Sequence, residues 1–154
     1  MSIERLISSC IQPGTAYSEQ GKSVSIARRG DEFVLLFQTD NEVTRSVLGI
    51  TRSCDVTFFY MRHQERPVIV FCELKGRNVS DAADQISSTL LAVRTILRQI
   101  VGRGFPQNED IRALVVRTGS APHNQSAIQE SFFRRTGVKL LFARNQADLR
   151  DYLG

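Results

Sequence analysis

A chain of 154 residues, 42% hydrophobic and 23% charged, is expected to form a single domain over residues 1–154, neither disordered nor fibrous. Twenty Lys and Arg against sixteen Asp and Glu give a net charge of +4, a mild excess that permits a polyanionic partner without requiring one. No apolar run approaches the ~18 residues of a membrane helix, the N-terminus lacks signal-peptide form, and Cys10, Cys54 and Cys72 show no CxxC spacing, so a cytoplasmic, reduced chain with no membrane partner is expected.

Ser2 to Ile11 has apolar residues at helical spacing, stopped by Pro13-Gly14. Lys22–Arg28 and Phe33–Phe37, separated by the turn residues 29–32, resemble a hairpin. Asp40-Asn41 marks another turn, residues 47–50 are ambiguous, and Cys54–Tyr60 has the Val, Thr and aromatic content of a strand. Val68–Lys75 is the clearest strand, its branched run after Pro67 suiting a position buried on both faces. From Ser80 to Val101, Ile86, Leu90, Val93, Leu97 and Ile100 form one apolar helical stripe that ends near Gly102. Ile111–Arg117 predicts a strand, 118–125 a polar loop, Ser126–Thr136 a helix closed by Gly137, and Val138–Ala143 a last strand; Asn145 suits the cap of a terminal helix over 146–153.

Two of these strands carry an acid where an apolar residue would cost less. Residues two apart in a strand share a face, which groups Asp55 with Thr57 and Phe59, opposes Cys54, Val56 and Phe58, and groups Glu73 with Lys75. A buried carboxylate without a partner costs several kcal/mol, and Lys75 supplies only one positive charge. A divalent ion resolves this: Mg²⁺ takes oxygen ligands, here Asp55, Glu73 and the carbonyl of Leu74. Lys75 then projects beside it, placed to orient a water or to neutralise charge on a phosphate.

Asp55, followed by Glu73-Leu74-Lys75-Gly76 on the next strand and by a helix bearing Gln85, resembles the PD-(D/E)XK nuclease superfamily over about residues 33–117. The resemblance implies an α/β, restriction endonuclease-like fold with a mixed central sheet flanked by helices, Mg²⁺ or Mn²⁺ as cofactor, and cleavage of nucleic acid. It carries catalytic roles to Asp55, Glu73, Lys75 and Gln85. The sequence departs from the pattern at Cys54, which stands where proline often precedes the acid, and at Thr89, where some branches have Tyr. Glu4, Glu19 and Glu42 compete for the extra acidic ligand that many members carry.

Basic residues cluster towards the C-terminus, and Arg94, Arg98, Arg134, Arg135, Lys139 and Arg144 are the candidates for holding a phosphate backbone. The expected function is a Mg²⁺-dependent endonuclease on DNA in preference to RNA, working as a homodimer or as a subunit of a larger complex; defence, mobile-element, repair and junction-processing roles all fit. The alternative is a catalytically inactive module of the same fold that binds nucleic acid or protein. Gly21-Lys22-Ser23 lacks the glycine at position 16 and the preceding strand of a phosphate loop. His63 and His123 have no second ligand at metal spacing, and of Phe132 and Phe133 at least one is expected in the core.

Overall fold

The β-branched and aromatic segments build one mixed sheet, with the amphipathic segments packed on it; the computed structural model describes residues 3–154. The order is α1 (Ile3–Cys10), β1 (Ile11–Gln12), β2 (Ala16–Glu19), β3 (Lys22–Ser25), β4 (Glu32–Gln38), α2 (Glu42–Leu48), β5 (Val56–Arg62), β6 (Val68–Lys75) and α3 (Val79–Val101). A single 3₁₀ turn (Asn108–Asp110) then leads to β7 (Ile111–Arg117), α4 (Gln125–Thr136), β8 (Leu140–Arg144), β9 (Gln146–Asp148) and α5 (Arg150–Leu153). The six-stranded sheet has the order β1-β4-β5-β6-β7-β8. Pairing is antiparallel from β1 through β6 and parallel from β6 to β8, where α3 and α4 provide the crossovers that parallel neighbours require. Among the described residues no helix is long and apolar enough to cross a membrane.

Alternation along the strands divides the core in two. Phe58, Val70, Cys72, Leu114 and Val116 face a small second sheet, order β2-β3-β9, through Val24, Ile26 and Ala147. Ile69, Phe71, Ala113 and Val115 face Ala82, Ala83, Ile86 and Leu90 of α3 and Phe132 of α4. Each large side chain fully removed from water here contributes about 1.5–3 kcal/mol. Phe132 is the core phenylalanine of its pair, and Phe133 is half exposed. At the far end of β4 the buried Glu32 carboxylate accepts from the Tyr60 hydroxyl at 2.9 Å and from Arg150 at 2.6 and 2.7 Å. The Arg150 guanidinium holds it well below the usual carboxylate range, at about 2, and so ties α5 to the sheet.

Two sequence expectations are corrected and one ambiguity is resolved. The hairpin partner of Lys22–Ser25 is Ala16–Glu19, turned at Gln20-Gly21, whereas Glu32–Gln38 pairs with β1 and β5 in the other sheet. Tyr17 is the only large apolar residue in β2, so that strand carries no hydrophobic signal. Asn145 caps no helix: it adopts φ 61° and turns the chain from β8 into β9, leaving only Arg150–Leu153 helical. The ambiguous stretch 47–50 ends helix α2, which Asn41 caps by accepting the Thr44 N–H at 2.8 Å and Gly49 closes at φ 68°. Of the predicted first helix, Ser2 lies outside the described residues.

Candidate active site

Asp55 stands one residue before β5 and Glu73 near the end of β6, at the edge where the parallel strands finish. The Val56↔Cys72 register sets them opposite each other. Their backbones are cross-linked by their own carboxylates. Glu73 Oε2 accepts the Asp55 N–H at 2.9 Å, and Asp55 Oδ2 accepts the Leu74 N–H at 2.8 Å. Each acid is therefore fixed through one oxygen, and Asp55 Oδ1 and Glu73 Oε1 are not used in these bonds. Because the N–H and C=O of one strand residue lie along the same edge, the Leu74 carbonyl is directed towards β5 as well.

The backbone around Asp55 is held from every side. Thr89 Oγ1, on α3, accepts the Cys54 N–H at 2.8 Å; Thr39 donates its hydroxyl to the Cys54 carbonyl at 2.7 Å; the Thr39 N–H donates to the Asp55 carbonyl at 3.0 Å. Cys54 precedes the regular strand, so alternation does not reach it: its side chain packs with Phe71 and Ala82 on the α3 face, on the same side as Thr57, and not with Val56 and Phe58. Burial pushes the Cys54 thiol up to about 12, in keeping with a packing role. Thr89, which replaces the tyrosine of the sequence pattern, is thus a backbone anchor. Thr89→Val is expected to cost about 1–3 kcal/mol in chemical denaturation, since it leaves the buried Cys54 N–H without an acceptor.

Asp55 and Glu73 are 7% and 3% exposed, and little neutralises them. Burial raises Asp55 to about 6, with further contributions from the Glu19 and Asp40 carboxylates. Burial and the neighbouring Asp55 charge raise Glu73 to about 8. Lys75 Nζ is 4.0 Å from Glu73 Oε1, but its shorter contacts are on α3: Asp81 Oδ2 at 2.9 Å and Gln85 Oε1 at 3.4 Å. Asp81, Gln85 and Thr89 recur every four residues and form one helical face over the site. Asp81 was missed in the sequence because a first-turn acid is explained by the helix dipole; its i,i+4 spacing from Gln85 was the available signal. Asp81 also pairs with Arg52.

The structure thus brings together Asp55, Glu73, the Leu74 carbonyl, Lys75 and Gln85. Of the competing acids, Glu19 acts electrostatically on Asp55, and so does Asp40, which pairs with Arg45 at 2.5 Å. Tyr17, from the same hairpin as Glu19, is pushed up to about 12 by burial and by the Asp55 charge. Glu4 and Glu42 belong to α1 and α2. Among the described residues no three His, Cys, Asp or Glu side chains converge as a metal-holding group. The donor set is two carboxylates plus a main-chain carbonyl, all hard oxygens, which suits an ion that keeps waters and takes the rest of its shell from substrate.

The six basic candidates are dispersed. Arg94 donates to Asn108 and to the Thr136 carbonyl, at 2.9 and 2.7 Å, and Arg98 to the Pro106 carbonyl. Arg134 pairs with Glu130, and Arg135 pairs with Asp84 at 2.9 Å. Lys139 precedes β8 at the opposite edge of the sheet, and Arg144 ends that strand on the side of Lys75. No protein-family model, no curated protein and no solved structure matches the chain.

Proposed function

We propose that the chain is a Mg²⁺- or Mn²⁺-dependent endonuclease of restriction endonuclease-like fold that hydrolyses phosphodiester bonds in DNA. The observation that carries the reading is the opposed Asp55–Glu73 pair: two buried carboxylates, each anchored through one oxygen to the other's strand, with the nearest ammonium 4.0 Å away and bonded elsewhere. Such a pair is costly in a metal-free protein, and a divalent cation compensates it. The resemblance of Asp55, Glu73-Leu74-Lys75 and Gln85 to the PD-(D/E)XK pattern supports the same reading, as does the sheet with its antiparallel β4-β5-β6 and parallel β6-β7-β8 halves.

In this reading Asp55, Glu73 and the Leu74 carbonyl hold the ion, which when bound activates water and offsets charge on the phosphate. Lys75 leaves the same strand face as Glu73 and stabilises the negative charge that builds on the phosphoryl oxygens as the water oxygen bonds to phosphorus. One ester P–O bond breaks, and the leaving oxygen takes a proton. Gln85 and Asp81 steer the Lys75 ammonium from α3. A double-strand cut needs two such sites, supplied by a second copy or by a partner subunit.

The Lys75–Asp81 contact favours a second reading, an inactive module of the same fold, because it occupies the ammonium that catalysis requires. A crystal structure with Mn²⁺ separates the two. One ion on Asp55, Glu73 and the Leu74 carbonyl, at oxygen distances of about 2.0–2.2 Å, is expected for the nuclease; the absence of metal at millimolar Mn²⁺ and pH 8, where both carboxylates can ionise, favours the module.

A further inference from the structure

The ends of β6 and of β7 and β8, the strands that continue the sheet in parallel beyond it, carry cations in register. Lys75 is opposite Arg117, and Arg117 is opposite Arg144. Register partners on neighbouring strands share a face, about 4.8 Å apart, so the three form a row on the side covered by α3 and α4, starting at the carboxylate pair. Like charges placed directly opposite one another destabilise a sheet. Lys75 has Asp81 and Glu73 to offset its charge. Arg117 and Arg144 have no carboxylate partner among the described residues.

Arg117 is half buried, and one of its terminal nitrogens donates to the Gly119 carbonyl at 2.6 Å. Its Nε is buried without a partner, one of two such side-chain atoms among the described residues; the other is Gln125 Oε1, at the far end of the loop that follows β7. A buried donor left unsatisfied costs about 1–3 kcal/mol, so the guanidinium is incompletely satisfied in this arrangement and gains by turning outward to meet an external acceptor. Four of the six earlier candidates differ in this respect: Arg94 and Arg98 are satisfied by carbonyls, and Arg134 and Arg135 by carboxylates.

We infer that Arg117 and Arg144, continuing the row from Lys75, hold successive phosphates of the nucleic acid strand whose bond lies at Asp55 and Glu73. A polyanion fits the row better than a lone anion, since the charges extend across three strands and a single anion would leave part of the row uncompensated. The inference rests on the nuclease reading for its partner, and its own evidence is the register and two guanidinium groups without a carboxylate partner among the described residues.

The test is binding of a fluorescent 20-mer duplex DNA in EDTA, where no metal-dependent cleavage occurs, measured as a function of salt. The proteins compared are the wild type, Arg117→Gln/Arg144→Gln, Arg117→Lys/Arg144→Lys, and a charge-matched control, Arg28→Gln/Arg103→Gln. Each lost phosphate contact lowers the slope of log affinity against log salt by about 0.9, so the Gln pair is expected to lose about 1.8 and to bind at least about tenfold more weakly at ~0.1 M salt. The Lys pair keeps the slope, as does the control. An unchanged slope in the Gln pair, an equal fall in the control, or no binding by the wild type at low salt overturns the inference. Should the Gln pair misfold by circular dichroism, Arg144→Gln alone, at an exposed site, is expected to lose about 0.9. A reduced slope in a protein that never cleaves DNA with Mg²⁺ or Mn²⁺ keeps the row and removes the nuclease reading, so the two failures are distinguishable.

Discussion

Glu73→Gln is expected to abolish metal-dependent cleavage and, in the metal-free protein, to raise thermal stability at alkaline pH. Both effects have one cause. The folded state raises Glu73 from 4.5 to about 8, mainly by burial and next by the Asp55 charge. A folded-state value above the unfolded one means the native protein holds a proton that the unfolded chain releases. The associated stability is therefore fully present below pH ~4.5 and is lost as pH rises through about 8. Asp55 acts with the same sign, between 3.8 and about 6. Glutamine cannot ionise, keeps an oxygen for the Asp55 N–H, and escapes the loss, by an amount on the order of a few kcal/mol at pH 8.5. Thermal melts in EDTA at pH ~4 and ~8.5 measure this: the variant should match the wild type at the lower pH, below the unfolded-state value of 4.5, and exceed it at the higher. A wild type that loses nothing between them would mean that the carboxylates are already compensated within the protein. In the proposed nuclease the same substitution removes a metal ligand, so stability is expected to rise as activity disappears, a trade characteristic of functional sites.

Lys75→Ala is expected to lower the cleavage rate by a factor on the order of 10² or more while leaving the fold, Mn²⁺ binding and DNA affinity nearly intact. The ammonium is partly exposed and makes no bond on which the strand depends: its contacts are the Asp81 carboxylate, the Gln85 amide oxygen and the more distant Glu73. The interaction it contributes strengthens as charge develops on the phosphate, so its loss appears in the rate and not in ground-state binding. Single-turnover cleavage beside calorimetric Mn²⁺ titration distinguishes this from a structural role, which would weaken metal binding in parallel.

The parallel half of the sheet was legible because it is local and apolar: Val68–Lys75 and Ile111–Arg117 match the observed strands to the residue. The second sheet was not. β2 and β9 offer little beyond Tyr17 and Ala147 as apolar residues, and the pairing of β9 with β3 joins positions ~120 residues apart, which no local pattern encodes. In the site, Asp55 and Glu73 stood out because an acid in an apolar strand needs a physical reason. Thr39 and Thr89 did not, since a threonine that binds the backbone of a distant segment looks like any other threonine. Arg117 was hidden for a related reason: a strand ending in arginine is ordinary, and only the register with Lys75 and Arg144 makes it part of a row.

The most direct test of the central claim is cleavage of supercoiled and branched DNA by wild type, Lys75→Ala and Glu73→Gln, purified identically and assayed with Mg²⁺, with Mn²⁺ and with EDTA. Metal-dependent cleavage by the wild type, reduced about 10²-fold or more in Lys75→Ala and absent in Glu73→Gln, is the predicted result. The same trace activity in all three proteins would contradict it.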